Sequence, residues 1–174
     1  MAVRLRIAGI YYDEKFDLAA LTPVPAFAIP DRVPPTGGAP TIFELLEAAY
    51  RKPGKNKENF IYVFERRGDH LSITSLGVTH KKDLVGSLGN KTRVLGAYQL
   101  TELVIPGGVA AWQYYVYRGG ISVSQLVAGA ATGYSPAKGD GTGFTGFDQF
   151  VLQDGDEVMY RQVCILRGPN VPNG

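Results

Sequence analysis

Glycine and proline interrupt this sequence so often that most of it is unsuited to long regular helices. The 174 residues include 22 glycines and 11 prolines, and the prolines concentrate between residues 21 and 40. Proline fixes φ and lacks a backbone N–H, while glycine favours turns and irregular connections. The sequence therefore favours a β-rich chain over a helical bundle and predicts a proline-rich arm over residues 22–40.

One segment, residues 41–51, has the pattern of an amphipathic helix. Thr41 and Glu44 match a capping box, in which both side chains accept hydrogen bonds from backbone N–H groups at the helix start. The apolar positions recur at helical spacing, and they are Ile42, Leu45, Leu46 and Ala49. Because this spacing places them on one face, we expect a helix of about three turns that packs against a sheet.

Alternating and aromatic runs before and after this segment predict strands. Val3, Leu5 and Ile7 alternate with less apolar residues, as in a half-buried strand. Residues 60–64 and 71–76 flank a turn-like sequence and predict a hairpin. Residues 80–92 are polar and broken by glycine, so no strand is expected there.

The second half of the chain predicts further strands and one long loop. Residues 94–105 predict a strand with an irregularity, and residues 112–117 predict a dense aromatic strand. Residues 129–146 form a glycine-rich loop by composition. Residues 150–152 and 158–166 flank an Asp-Gly turn and predict a closing hairpin, with an extended tail after it at residues 167–174. With no internal boundary, the chain is expected to form a single domain over residues 1–174.

Three strings resemble the β-grasp domain found at the C-terminus of transcobalamin and in related small bacterial modules. They are TIFELLEAA, AWQYYVYRGG and FVLQDGDEVMYR, and the similarity extends over residues 41–165. Arg118-Gly119 stands where the family has Asn-Gly. The resemblance implies an α+β fold, mainly β, in which a β-grasp-like mixed sheet packs on one amphipathic helix. It also implies a ligand-binding or adaptor role, for which a corrinoid-like small molecule is one candidate ligand.

The net charge, the cysteine content and the apolar runs limit which partners, metal sites and cell compartment we expect. The formal net charge of +2 gives little reason to expect nucleic acid as the partner. Cys164 is the single cysteine, and the Cys and His spacing does not match a zinc site. The sequence has neither the h-region of a signal peptide nor an apolar run long enough to span a membrane, which predicts a cytoplasmic protein without a membrane span.

The titratable residues do not form a recognisable catalytic set. His70 and His80 are the two histidines, and Asp69 beside His70 would face the opposite side of a strand. No nucleophile, base and orienting group occur together at a familiar spacing. We therefore predict no catalytic residues, no cofactor and no metal site, although an enzyme with an unrecognised site remains an alternative.

Aromatic residues are the best candidates for ligand or partner contacts. In the aromatic strand, Trp112 and Tyr114 share one face, while Tyr115 and Tyr117 share the other. One pair should be buried, and the other should form an exposed row of the kind found at protein contacts. The full set of predicted binding residues is Trp112, Tyr115, Tyr117, Tyr134, Phe144 and Phe147.

The resulting hypothesis is a non-enzymatic protein-binding or assembly subunit. It would dock on itself or on a partner, as a homo-oligomer or in a larger assembly, through these aromatics, the proline-rich arm and the tail. Prolines lower the entropy lost when an extended segment docks, which is why the arm is a candidate contact. A small-molecule-binding module is the alternative.

Overall fold

The computed structural model describes residues 2–10, 12–24, 32, 35, 37–52, 59–67, 70–85, 91–123 and 146–166. Within these residues the chain forms one α-helix and nine strands. The helix α1 is Ile42–Arg51, and the strands are β1 Ala2–Ile7, β2 Tyr12–Asp17, β3 Asn59–Arg67, β4 His70–Val85, β5 Lys91–Thr101, β6 Leu103–Ile105, β7 Gly108–Arg118, β8 Ile121–Ser122 and β9 Glu157–Leu166. Among the described residues, no helix has the length and apolar character needed to cross a membrane.

Six strands form a mixed sheet in which the first and last strands lie side by side. The order is β2, β1, β9 and β7, and the short strands β6 and β8 both pair with β7. β1 and β9 are parallel, from Arg4 beside Glu157 to Ile7 beside Tyr160. The other neighbours are antiparallel. The predicted α+β fold, mainly β and with a mixed sheet packed on one helix, is confirmed.

The remaining three strands form an antiparallel sheet in the order β3, β4, β5. The hairpin predicted around residues 60–76 is confirmed, and both of its strands are longer than expected. The expectation that residues 80–92 form no strand is wrong, because β4 continues to Val85 and pairs with β5 from Lys91 onwards. Pairing between neighbouring strands provides the backbone hydrogen bonds there, so it outweighs the unfavourable local composition.

Helix α1 begins at the predicted capping box. The Phe43 amide donates to the Thr41 hydroxyl over 3.2 Å, and the Thr41 amide donates to the Glu44 carboxylate over 2.9 Å. The apolar face of the helix is buried, and the Phe43 ring packs edge-on against Phe64 of β3 at 5.8 Å between centroids. Local sequence therefore fixes where the helix starts, and burial against strands holds it in place.

The predicted closing hairpin is wrong, although its turn is present. Gly155 lies in that turn with a φ of 81°, a conformation that glycine adopts without strain. Residues 150–152 do not pair with β9, because β1 and β7 already occupy the two edges of β9. They run instead beside the start of α1, where the Leu152 amide donates to the Pro40 carbonyl over 2.9 Å.

Two described residues of the proline-rich arm pack on the chain's own core. Val24 is buried with the core residues, as is Leu21 just before the arm. Farther along, the Arg32 guanidinium is buried and pairs with the Glu44 carboxylate at 2.8 Å. The arm is thus attached to the start of α1 at Val24 and Arg32, so these two residues are not free to reach a partner.

Candidate binding surface

One side of the mixed sheet is packed against the core, and we call its other side the open face. Strand alternation places Val3, Leu5 and Ile7 of β1 in the core and sends Arg4 and Arg6 outward. Residues 112–117 of β7 and 157–161 of β9 alternate in the same way. The open face includes Arg4, Arg6, Asp13, Lys15, Gln113, Tyr115, Tyr117, Glu157, Met159 and Arg161.

Alternation along β7 separates the aromatic residues as the sequence predicted. Trp112 and Tyr114 are buried in the core, while Tyr115 and Tyr117 are half-buried on the open face. The Trp112 indole donates to the Leu100 carbonyl of β5 over 3.0 Å, which links the two sheets. Trp112, a predicted partner contact, is therefore a core residue, and the outward pair is Tyr115 and Tyr117.

Arg161 of β9 lies between these two tyrosines. Its guanidinium carbon is 5.0 Å from the centroid of the Tyr115 ring, and Nη2 donates to the Tyr117 hydroxyl over 3.2 Å. The Tyr115 hydroxyl in turn donates to Oε1 of Gln113 over 2.9 Å. Gln113 and Arg161 are direct cross-strand partners. The four side chains thus form one contiguous cluster, which we call the Tyr-Arg cluster.

A group of four charged residues lies beside the Tyr-Arg cluster. Arg4 forms a two-point contact with the Asp13 carboxylate at 2.7 and 2.6 Å, and Arg6 pairs with Glu157 at 2.7 Å. The hydrogen bond from Arg4 lowers the pKa of Asp13, and the same bond raises the pKa of Arg4. These pairs are largely solvent-exposed, so they order the surface more than they stabilise the fold.

A shallow pocket of about 340 Å³ adjoins the open face at the end of the β1–β2 hairpin. It is lined by Arg6, Ile7, Ala8, Gly9, Tyr12, Asp13 and Met159. Met159 therefore borders both the pocket and, through its cross-strand partner Tyr115, the Tyr-Arg cluster. Among the described residues, no group of three His, Cys, Asp or Glu side chains is placed to hold a metal ion.

Of the remaining predicted aromatics, Phe147 is described, and it does not join this surface. Phe147 is 2% exposed, and its ring packs against Phe43 and Phe64 at 5.9 and 6.1 Å. Its backbone carbonyl accepts from the Phe43 amide over 3.1 Å, which places Phe147 in the core at the start of α1. Tyr134 and Phe144 lie outside the described residues, and their role stays a prediction.

Sequence reasoning missed Arg161, the residue that completes the cluster. Alternation within β9 is visible in the sequence and would place Met159 and Arg161 on the same face. The register that brings Arg161 opposite Gln113 depends on how β7 and β9 align, which the local pattern does not specify.

Comparison of the chain with protein-family models, with curated proteins and with solved structures gave no match.

Proposed function

We propose that the protein is a non-enzymatic protein-binding module that docks on a second copy or on another protein through the open face. The observation that carries this proposal is the Tyr-Arg cluster, in which Arg161 stacks on Tyr115 and contacts Tyr117. Tyrosine and arginine are enriched among the residues that contribute most to protein interfaces, and methionine is enriched at such interfaces too. Met159 adds that third residue type beside Tyr115.

The cluster is also arranged so that docking costs little conformational entropy. In the free protein, Tyr115 is already hydrogen-bonded to Gln113, and Arg161 already contacts both tyrosines. Fixing a flexible side chain at an interface costs about 0.5 to 1.5 kcal/mol, so side chains already ordered in the free protein bind at a smaller cost. The half-buried rings still expose part of their surface to a partner.

The arm contributes less to this proposal than the sequence suggested. Val24 and Arg32 pack on the core. The tail at residues 167–174 lies outside the described residues, and its role stays a prediction. Removing residues 22–39 would therefore disturb the start of α1. Substitutions on the open face give a cleaner test.

That test compares the parent with a Tyr115→Ser/Tyr117→Ser double variant by sedimentation velocity, alone and with proteins that co-purify with the parent. We expect the double variant to weaken self-association or partner retention by at least about tenfold, the usual scale for loss of an aromatic anchor. Tyr50→Ser, at an exposed tyrosine on α1, is the matched control and should leave association unchanged. Equal association of parent and double variant, or a strictly monomeric parent that retains no protein, would refute the proposal.

The pocket supports small-molecule binding as a second candidate. Its volume of about 340 Å³ is at the lower end of the roughly 300 to 1,000 Å³ that is usual for ligand sites, which favours a ligand smaller than a corrinoid. Met159→Trp should fill the pocket and remove any thermal stabilisation by a bound small molecule. Retained stabilisation in that variant would exclude this pocket as the site.

A further inference from the structure

Some of the arginines on the open face are paired with carboxylates, and within the described part of the chain Arg161 is not. Arg4 and Arg6 have the carboxylates of Asp13 and Glu157 within hydrogen-bonding distance. Among the described side chains, no carboxylate oxygen lies within ion-pair distance of Arg161. The positive charge of the Tyr-Arg cluster is therefore not compensated by a contact within the described chain.

The cluster also has more hydrogen-bond donors than acceptors. A guanidinium has about five N–H groups, and in Arg161 two of them are used, by the Met159 sulfur and by the Tyr117 hydroxyl. The Tyr117 hydroxyl oxygen accepts that bond, so its O–H group is still able to donate one. Gln113 accepts from Tyr115, which leaves its amide N–H groups as donors. Such a cluster is complementary to a ligand rich in acceptors.

We propose that the Tyr-Arg cluster binds a carboxylate of an acidic, extended segment of a partner protein. This inference rests on the proposed function and specifies the chemistry of the partner. A carboxylate matches the planar fork of Arg161 and carries a single negative charge. Because nearby Glu157 is already paired with Arg6, the uncompensated charge of the cluster is the single charge of Arg161, which a carboxylate balances and a phosphate dianion exceeds.

The pocket indicates which residue type should accompany the carboxylate in such a segment. Met159 and Arg161 lie on the same side of β9, two residues apart, which is roughly 7 Å along a strand. An extended partner segment has the same spacing between alternate side chains. A segment with its carboxylate at Arg161 can therefore place an apolar side chain, two positions away, over Met159 and into the pocket. The expected partner sequence has an acidic residue and an apolar residue two positions apart, in either order.

The test uses short capped peptides of Ser, Thr and Gly that carry Glu and Leu two positions apart, titrated into the full-length ¹⁵N-labelled protein. Both orders of Glu and Leu are tested, and matched peptides replace Glu by Gln, Leu by Ser, or Glu by phosphoserine. We expect one Glu peptide to shift the amide signals of Gln113, Tyr115, Tyr117 and Arg161. The Gln peptide should bind at least about tenfold more weakly, because a charge-assisted hydrogen bond is lost. Binding should also weaken as NaCl is raised from about 0.05 M to about 0.5 M, because exposed charges are screened.

Variants assign the effect to one side chain. Arg161→Gln should reduce binding of the Glu peptide to the level of the Gln peptide, while Arg51→Gln, at an exposed arginine on α1, should leave it unchanged. The dispersion of the amide spectrum shows whether each variant is folded.

Three outcomes would overturn the inference. The first is equal binding of the Glu and Gln peptides, and the second is tighter binding of the phosphoserine peptide. The third is the absence of any peptide binding at the open face. None of them decides the proposed function, because loss of assembly in the Tyr115→Ser/Tyr117→Ser variant is measured independently. If the tyrosine variant loses assembly while the Glu and Gln peptides bind equally, the proposed function stands and the carboxylate inference is wrong.

Discussion

Two of the described arginines stack on aromatic rings, and their surroundings differ in almost every other respect. Arg32 lies 4.6 Å from the centroid of the Phe43 ring, and Arg161 lies 5.0 Å from that of Tyr115. The side chain of Arg32 is 1% exposed and pairs with Glu44, whereas Arg161 is exposed and has no carboxylate partner among the described side chains. The same contact thus attaches a segment to the core in one place and presents a charge to solvent in the other.

Burial decides between these two roles. A buried charge is costly unless it is paired and hydrogen-bonded, so Arg32 stays in place only while Glu44 accepts its bonds. Glu44 also accepts from the backbone of Thr41 and Val24, so one carboxylate joins the helix start to two points of the proline-rich arm. At Arg161 water can replace a missing partner, and the charge remains available for binding.

The largest expected effect comes from breaking the buried pair. Glu44→Leu leaves the Arg32 guanidinium buried without its partner and should lower the free energy of unfolding by about 3 to 5 kcal/mol. Arg161→Leu, the matched change on the open face, should lower it by less than about 1 kcal/mol. Urea denaturation monitored by Trp112 fluorescence measures both. Similar losses in the two variants would remove the distinction between the arginines.

A smaller effect is expected from the helix cap that shares the Glu44 carboxylate. Thr41→Ala removes the hydroxyl that accepts from Phe43 and should cost about 1 kcal/mol of stability. Thr41→Ser keeps the hydroxyl and serves as the control, so it should retain most of that stability. An unchanged denaturation midpoint in the alanine variant would show that the cap contributes little.

The smallest expected effects are those on the pH dependence of stability. Burial acts to raise the pKa of Glu44, but the hydrogen bonds from Thr41 and Arg32 outweigh it and hold the pKa below the ordinary value of 4.5. A lowered carboxylate pKa contributes stability that is present above the unfolded value and is lost as pH falls through the folded value. Stability should therefore decline below about pH 4.5, and Glu44→Gln should flatten that decline.

The pKa of Asp13 on the open face is lowered as well, through its hydrogen bond with Arg4. Because that pair is solvent-exposed, Asp13→Asn should change the acid dependence less than Glu44→Gln does, and added salt should reduce the difference further. Chemical denaturation between about pH 7 and pH 3 provides the measurement. A larger change in the Asp13 variant would show that the exposed pair contributes more to the acid dependence of stability than the buried pair does.

Features encoded by neighbouring residues were predictable from the sequence. Thr41 and Glu44 marked the helix start, and alternation divided the aromatic strand into one inward and one outward pair. Strand β2 was missed because its inward positions, Tyr12 and Phe16, are separated by charged residues that weaken the apolar pattern.

Features that depend on distant pairing were not predictable from local patterns. The Asp-Gly turn near Gly155 is a local hairpin signal, but it carries no information that both edges of β9 are already occupied. Arg32 was not singled out for the same reason, because its partner Glu44 lies in another element and nothing near Arg32 in the sequence indicates burial. The Tyr-Arg cluster likewise needs the register between β7 and β9.

The parallel pairing of β1 with β9 has a consequence for the order of folding. Arg4 and Glu157 are 153 positions apart, so the centre of the mixed sheet closes only after all the residues between them have been synthesised. Bringing such distant segments together costs loop-closure entropy before the contacts form, which slows folding. The hairpins β1–β2 and β3–β4 can form early. One edge of β1 then stays unpaired until β9 has been synthesised. During translation this edge is exposed to pairing with other chains.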